Sequence, residues 1–272
     1  MTRLGQHFLA DPNLLSKIAA ALEPTGDDVV LEIGPGTGSL TRSIAPQVRR
    51  VVAIERDRRL AAECGTRNAE RGAANVTVVQ GDALKLPWQA LLDAHAAVPR
   101  SAFRVPHFKV IGNIPYYITS PLIEKALTPP LPERIVFLVQ REVADRLAAR
   151  PGTRAYGALS VGVQAVARVE KLFTVPAGAF RPRPKVDSAL VRLTPLTEPL
   201  IGPEETAAFR AFVVACFSRR RKQLRNALMA ATGKPAGAVA VLIAAVGLDP
   251  GSRPETVPPG DFARLLRASR QL

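Results

Sequence analysis

Val29-Val30-Leu31-Glu32-Ile33-Gly34-Pro35-Gly36-Thr37-Gly38 joins an apolar run to a glycine-rich turn. The β-branched run reads as a buried strand, and the residues after the turn open a helix. Glycines let a backbone approach a ligand closely, and a helix start offers unpaired N–H groups. Outward from this stretch the pattern repeats. Arg50 to Ile54 ends at Glu55, Val76 to Gln80 at Gly81-Asp82, Lys109 to Gly112 at Asn113, and Ile135 to Val139 at Gln140. Such spacing predicts βα units on a doubly wound parallel sheet, an α/β fold. In open sheets of this kind ligands bind beyond the carboxyl ends of the strands.

The flanks extend this plan. Asp11-Pro12 reads as a helix cap with proline at the first helical position, followed by an apolar stripe of Leu14, Leu15, Ile18 and Leu22. Two further strands are expected over Val166 to Val175 and Asp187 to Leu193. The proline-rich segment Pro176 to Lys185 between them cannot be helix. Leu196 to Pro203 reads as a linker to a small helical domain, with helices near 204–230, 236–246 and 260–270.

Composition narrows the function classes. The 272 residues include 37 Lys+Arg against 23 Asp+Glu, a net charge of +14. Eight of the cations are lysines and 29 are arginines. Arginine forks pair with phosphate and stack on bases, so nucleic acid is the partner the charge suggests. The longest small-apolar run, Ala236 to Val246, is too short to span a membrane, and the first residues lack the apolar core of a secretory signal; no membrane partner is expected. Cys64 and Cys216 cannot form a disulfide framework, and His7, His95 and His107 have no ligand spacing, so no metal is expected.

Two acids qualify the glycine turn. Glu55, 21 residues beyond Gly34, can accept both hydroxyls of a ribose. Asp82, at the next strand end, can take an adenine amino proton. Together they point to an adenosine-bearing cofactor, with NAD and S-adenosylmethionine the alternatives.

Asn113-Ile114-Pro115-Tyr116, directly after the fourth strand, separates them. An adenine N6 is a poor nucleophile, because its lone pair is delocalised into the ring. The Asn113 amide oxygen and the Ile114 carbonyl can each accept one N6 hydrogen. Pro115 fixes the bend, and Tyr116 offers a ring for the base to stack on. Held this way, the amine's lone pair faces a methyl sulfonium, and transfer becomes a matter of positioning and electrostatics.

Gly5-Gln6-His7-Phe8-Leu9, Glu32 to Gly36, Asn113 to Tyr116 and Phe180-Arg181-Pro182-Arg183-Pro184-Lys185-Val186-Asp187-Ser188 occur in this order. Together they resemble the ribosomal RNA adenine N6-dimethyltransferases over nearly the whole chain. Ala155 to Val161 and Arg219 to Asn226 look most like the bacterial small-subunit branch. The resemblance implies a class I, Rossmann-like methyltransferase domain over 1–197 that binds S-adenosylmethionine and releases S-adenosylhomocysteine. A helical domain over 198–272 would dock on RNA or the ribosome. It implies cofactor contacts for His7, Leu9, Gly34, Gly36, Glu55, Asp82 and Asn113; the family more often has Asn where this chain has His7. It also implies that Phe180 holds the target adenine against Tyr116. The expected substrate is two adjacent adenosines near the 3′ end of 16S rRNA within the small ribosomal subunit. A cytoplasmic monomer with a part in subunit biogenesis is expected. The rivals are a 23S rRNA adenine methyltransferase of the resistance type and a non-catalytic RNA-binding assembly factor.

The basic segments fit RNA. Arg181, Arg183 and Lys185 flank the proposed adenine loop, and Arg219, Lys222 and Arg225 share one stripe if their segment is helical. Structured RNA would be held through its backbone, with the target base splayed out.

Overall fold

The computed structural model describes residues 7–95, 108–218 and 222–271. The chain forms two compact units. The first comprises residues 1–144 and 170–195, and the second residues 145–169 and 196–272.

The first unit begins with a short strand, β1 (Phe8–Leu9), and α1 (Pro12–Ala21). Asp11 caps α1 as expected, its carboxylate accepting from the Asn13 and Leu14 N–H groups. Next come β2 (Val29–Ile33), α2 (Ser39–Ile44), β3 (Arg50–Glu55), α3 (Arg58–Glu70), β4 (Val76–Gln80) and α4 (Trp88–His95). They are followed by β5 (Phe108–Asn113), α5 (Thr119–Ala126), β6 (Arg134–Gln140) and α6 (Arg141–Leu147). After α7 (Ala158–Gln164), which belongs to the second unit, β7 (Ala167–Val175), β8 (Phe180–Arg181) and β9 (Ser188–Pro195) complete the strands.

Seven strands make one sheet in the order β4-β3-β2-β5-β6-β9-β7. β2 to β6 run parallel, and β9 inserts antiparallel beside β6. Every residue of β2 is buried, which explains why it reads as an unbroken apolar run around Glu32. The order reverses at β2, which lies between β3 and β5, so the crevice opens at the carboxyl ends of these three strands. β1 and β8 form a separate antiparallel pair, with Phe8 opposite Arg181 and Leu9 opposite Phe180. This pairing joins the N-terminal motif to the proline-rich loop.

The second unit holds α7 with α8 (Thr206–Ser218), α9 (Leu224–Thr232), α10 (Ala236–Val246) and α11 (Pro259–Gln271). The division differs from the boundary expected at residue 197, because residues 145–169 pack with the C-terminal helices. Tyr156 is fully buried among Phe209, Phe212, Leu242 and Phe262, and its hydroxyl donates to the Val257 carbonyl at 2.8 Å. The Gly152 N–H donates to the Glu255 carbonyl at 2.7 Å. The single helix expected over 204–230 is also corrected. It is interrupted between α8 and α9, where the Leu224 N–H serves the Ser252 carbonyl at 2.7 Å and Gln223 is extended. Among the described residues no single helix is long and apolar enough to cross a membrane. Cys64 and Cys216 are buried free thiols, and desolvation pushes them up to about 11 and about 12.

Candidate active site

The turn after β2 carries Gly34 and Gly36 at φ +69° and +56°, where an L side chain is strained. The Gly34 N–H donates to the Ile54 carbonyl at 2.9 Å and ties the turn to β3. A Cβ on Gly36 would stand 2.8 Å from Phe8 Cε1, so the Phe8 ring lies directly against the turn.

β3 delivers Glu55, which is 3% exposed. Its Oε2 accepts from the Gly36 N–H at 3.0 Å and its Oε1 from the Asp57 N–H at 2.9 Å. Burial raises its carboxyl above the usual range, while the N–H groups of Asp57, Gly36 and Arg56 oppose the shift. A carboxylate has about four acceptor positions, so capacity remains for a ligand hydroxyl beside these N–H groups. At the end of β4, Asp82 Oδ1 accepts from the Leu84 N–H at 2.9 Å, the familiar turn-forming role of aspartate, and the residue also lines the cleft.

β5 ends in Asn113. Its Nδ2 donates to the His7 carbonyl at 2.8 Å. The Ile114 N–H donates to the Leu138 carbonyl, which anchors the tetrad to β6. Tyr116 follows Pro115; its hydroxyl lies 2.9 Å from Ser188 Oγ and its ring 6.0 Å from the His7 ring. Desolvation holds the Tyr116 phenol above its ordinary range, so it stays protonated. His7, Gly34, Gly36, Glu55, Asp82 and the whole tetrad line one cleft of about 790 Å³, open to solvent. An adjoining cavity, also open to solvent, shares Phe8, Gly34 and Asn113 and reaches Leu9 and Glu32. Glu32 is 1% exposed and accepts from Thr41 Oγ1 at 2.6 Å. Burial pushes its carboxyl up to about 7.

Not every expected residue joins this group. Leu9 is buried on the adjoining cavity rather than on the cleft. Phe180 is 1% exposed and packs in the core with Leu9, Leu138 and Leu190. Main-chain pairing to Leu9 ties it to the N-terminal motif, and it does not line the cleft that Tyr116 lines. Arg181 sets Nη1 against the Gly178 and Phe180 carbonyls, and Arg181, Arg183 and Lys185 are all exposed. Lys222 lies in a bend, so no continuous helical stripe carries it with Arg225, which opens α9; both are exposed, and Arg219 lies outside the described residues. Sequence reasoning missed Phe8, Arg56, Tyr117 and Ser188. Phe8 and Ser188 stood inside quoted motifs. Arg56 and Tyr117 directly follow cleft residues, and the Arg56 guanidinium meets the Tyr117 hydroxyl at 3.3 Å.

A parallel sheet with one antiparallel insertion, a glycine turn and acids at successive strand ends define a Rossmann-like methyltransferase fold with a helical C-terminal domain. The chain is similar to a dimethyladenosine transferase from Plasmodium falciparum of known structure, with TM-score 0.79, 28% identity, and 97% of this chain and 98% of that one covered. It is also similar to the 23S rRNA methyltransferase ErmE, with TM-score 0.73, 29% identity, and 97% and 100% covered. The family model for ribosomal RNA adenine dimethylase matches residues 1–268, and the chain belongs to that family. Among curated relatives, ribosomal RNA small subunit methyltransferase A of Geobacillus thermodenitrificans is 41% identical over 271 residues, covering 97% of this chain and 89% of the relative. Its namesake from Phenylobacterium zucineum is 42% identical over 266 residues, covering 97% and 86%.

Proposed function

We propose that this chain is an S-adenosylmethionine-dependent RNA adenine-N6 dimethyltransferase. Its substrate is two adjacent adenosines near the 3′ end of 16S rRNA in the small ribosomal subunit. The observation that carries this reading is the Asn113 carboxamide, turned by His7 at the edge of the cleft that Gly34, Glu55 and Asp82 also line. The relatives named for the small subunit, at 41% and 42% identity, support that substrate over the large-subunit alternative, whose example stands at 29%.

The cleft fits the cofactor. Gly36 gives close backbone access, Glu55 brings a carboxylate to the cleft for a ribose hydroxyl, and Ile33, Ile54, Ala83 and Ile114 supply apolar walls. Glu55 would hold the ribose and Asp82 the adenine amino group, with Gly34, Gly36, His7 and Asn113 around the rest. When bound, S-adenosylmethionine supplies an electrophilic methyl group. The protein's own part is to hold the target amine. Asn113 Oδ1 and the Ile114 carbonyl accept the two N6 hydrogens, and Tyr116 supports the base. That geometry keeps the nitrogen lone pair free of its usual solvation. The N6 proton leaves to water once the nitrogen has become more acidic, so Asn113 need not act as a base.

Arg183, Lys185, Lys222 and Arg225, with Arg219, serve the RNA. We read the protein as a cytoplasmic monomer acting in small-subunit biogenesis. Transfer of tritium from labelled cofactor to separated ribosomal subunits tests the assignment. Label on undermethylated small subunits is the expected result, and label on large subunits alone would transfer the assignment to the resistance-type reading.

A further inference from the structure

We infer that a groove lined by Arg141, Arg183 and Lys185 is an anion site that takes an RNA phosphate beside the target adenosine. This rests on the proposed function and deepens its RNA contacts. β6 ends at Gln140, which pairs with Ser188, and the Arg141 N–H donates to the Asp187 carbonyl at 3.0 Å. The register therefore places Arg141 across from Asp187 at the sheet end. Gln140, Arg141, Glu142, Arg183, Lys185 and Asp187 line an open groove of about 800 Å³.

The charges in this groove are unequally spent. Arg183 and Lys185 are exposed and form no ion pair among the described residues. They alternate with Pro182 and with Pro184, which is buried, so their backbone is restricted before any ligand arrives. Asp187 is already used twice: Oδ1 accepts from the Ala177 N–H at 3.0 Å, and Oδ2 meets Arg141 at 3.4 Å. The Arg141–Asp187 contact is long, with side chains 56% and 37% exposed. Exposed pairs of this kind contribute little, whereas a phosphate offers a guanidinium two short charge-assisted bonds. Asp187 thus acts as a placeholder that a phosphate displaces. Glu142, the remaining acid, sits in the first turn of α6.

The groove is joined to the proposed stacking ring through adjacent residues. Ser188, next to Asp187, is fully buried and holds the Tyr116 hydroxyl at 2.9 Å. One dipeptide therefore positions a cation for the backbone through Asp187 and the stacking ring through Ser188. A phosphate in the groove and a base at Tyr116 suit neighbouring parts of one extruded strand.

The test measures affinity of the full chain for undermethylated small subunits across a salt series, using wild type, Arg141→Gln, Arg183→Gln, Arg141→Lys and Asp187→Asn. Each lost phosphate contact should flatten the slope of log Kd against log salt by about one. Arg141→Gln and Arg183→Gln should show that loss, weaken binding several-fold at low salt and leave cofactor affinity unchanged. Arg141→Lys should restore the slope, and Asp187→Asn should tighten binding. Slopes equal to wild type in both glutamine variants, or Asp187→Asn weakening binding in step with Arg141→Gln, would overturn the groove in favour of a purely structural pair. Binding to an acidic ribosomal protein instead would appear as an affinity that follows the charge but survives removal of the RNA strand by nuclease. Wild-type methyl transfer, measured on the same particles, reads the proposed activity separately, so a failed groove and a failed activity give different results.

Discussion

Asn113 Nδ2 donates to the main-chain carbonyl of His7 at 2.8 Å, and that bond decides which way the carboxamide faces. A carbonyl can only accept, so the NH₂ group must point to His7 and Oδ1 is left as the acceptor. The N-terminal motif thereby orients the group at the end of β5, although the two lie 106 positions apart in sequence. Asn113→Ala removes the acceptor and leaves a solvent-accessible space. Methyl transfer should fall by a factor of about 10² to 10³, comparable to loss of one preorganised polar contact, while Tm stays near wild type. Single-turnover transfer and thermal melting of the same variant check both halves. Full turnover by the variant would remove Asn113 from the chemistry.

Gly36→Ala places a methyl group 2.8 Å from Phe8 Cε1 at φ +56°. The backbone strain alone is roughly 1–2 kcal/mol. Because the Gly36 N–H also serves Glu55, cofactor affinity should fall at least tenfold, read by calorimetry. A variant with wild-type affinity would show that the turn does not touch the cofactor.

Glu32 gives a pH signature. Burial raises its carboxyl from 4.5 to about 7, so between those values the folded chain keeps a proton that the unfolded chain has lost. Its contribution to stability is full below about 4.5, declines as pH rises through about 7, and is flat above. At about 1.4 kcal/mol per unit the decline amounts to roughly 3 kcal/mol. Glu32→Gln, which can still accept from Thr41, should lose this slope. Urea unfolding of both proteins from pH 5 to 8 measures it. Parallel curves would place the titration elsewhere.

In the second unit, Tyr156→Phe strands the Val257 carbonyl that the hydroxyl serves at 2.8 Å. An unsatisfied buried group costs about 1–3 kcal/mol, so the variant should melt several degrees lower. An unchanged Tm would mean that water replaces the hydroxyl.

The strands are legible because buried parallel strands read as unbroken apolar runs, and their polar ends mark Gly34, Glu55, Asp82 and Asn113. Other features depend on tertiary contacts that a linear reading does not contain. The motif singles out Phe180, but neither its burial in the core nor the β1–β8 pairing that ties it to Leu9 is written there. Nothing in the run Gly5 to Leu9 shows that the His7 carbonyl meets Asn113. The run from 204 to 230 has helical composition throughout, yet Leu224 gives its N–H to Ser252 and the helix breaks. Residues 145–169 continue the alternating pattern of the first unit, and it is Tyr156 that commits them to the second core.

The most direct measurement is mass mapping of the RNA after wild-type protein and cofactor are incubated with undermethylated small subunits. The account predicts two neighbouring adenosines near the 3′ end, each carrying two methyl groups on N6, and far fewer methyl groups after the same time with Asn113→Ala. Methyl groups on another base, on another adenine atom or on large-subunit RNA alone would contradict it.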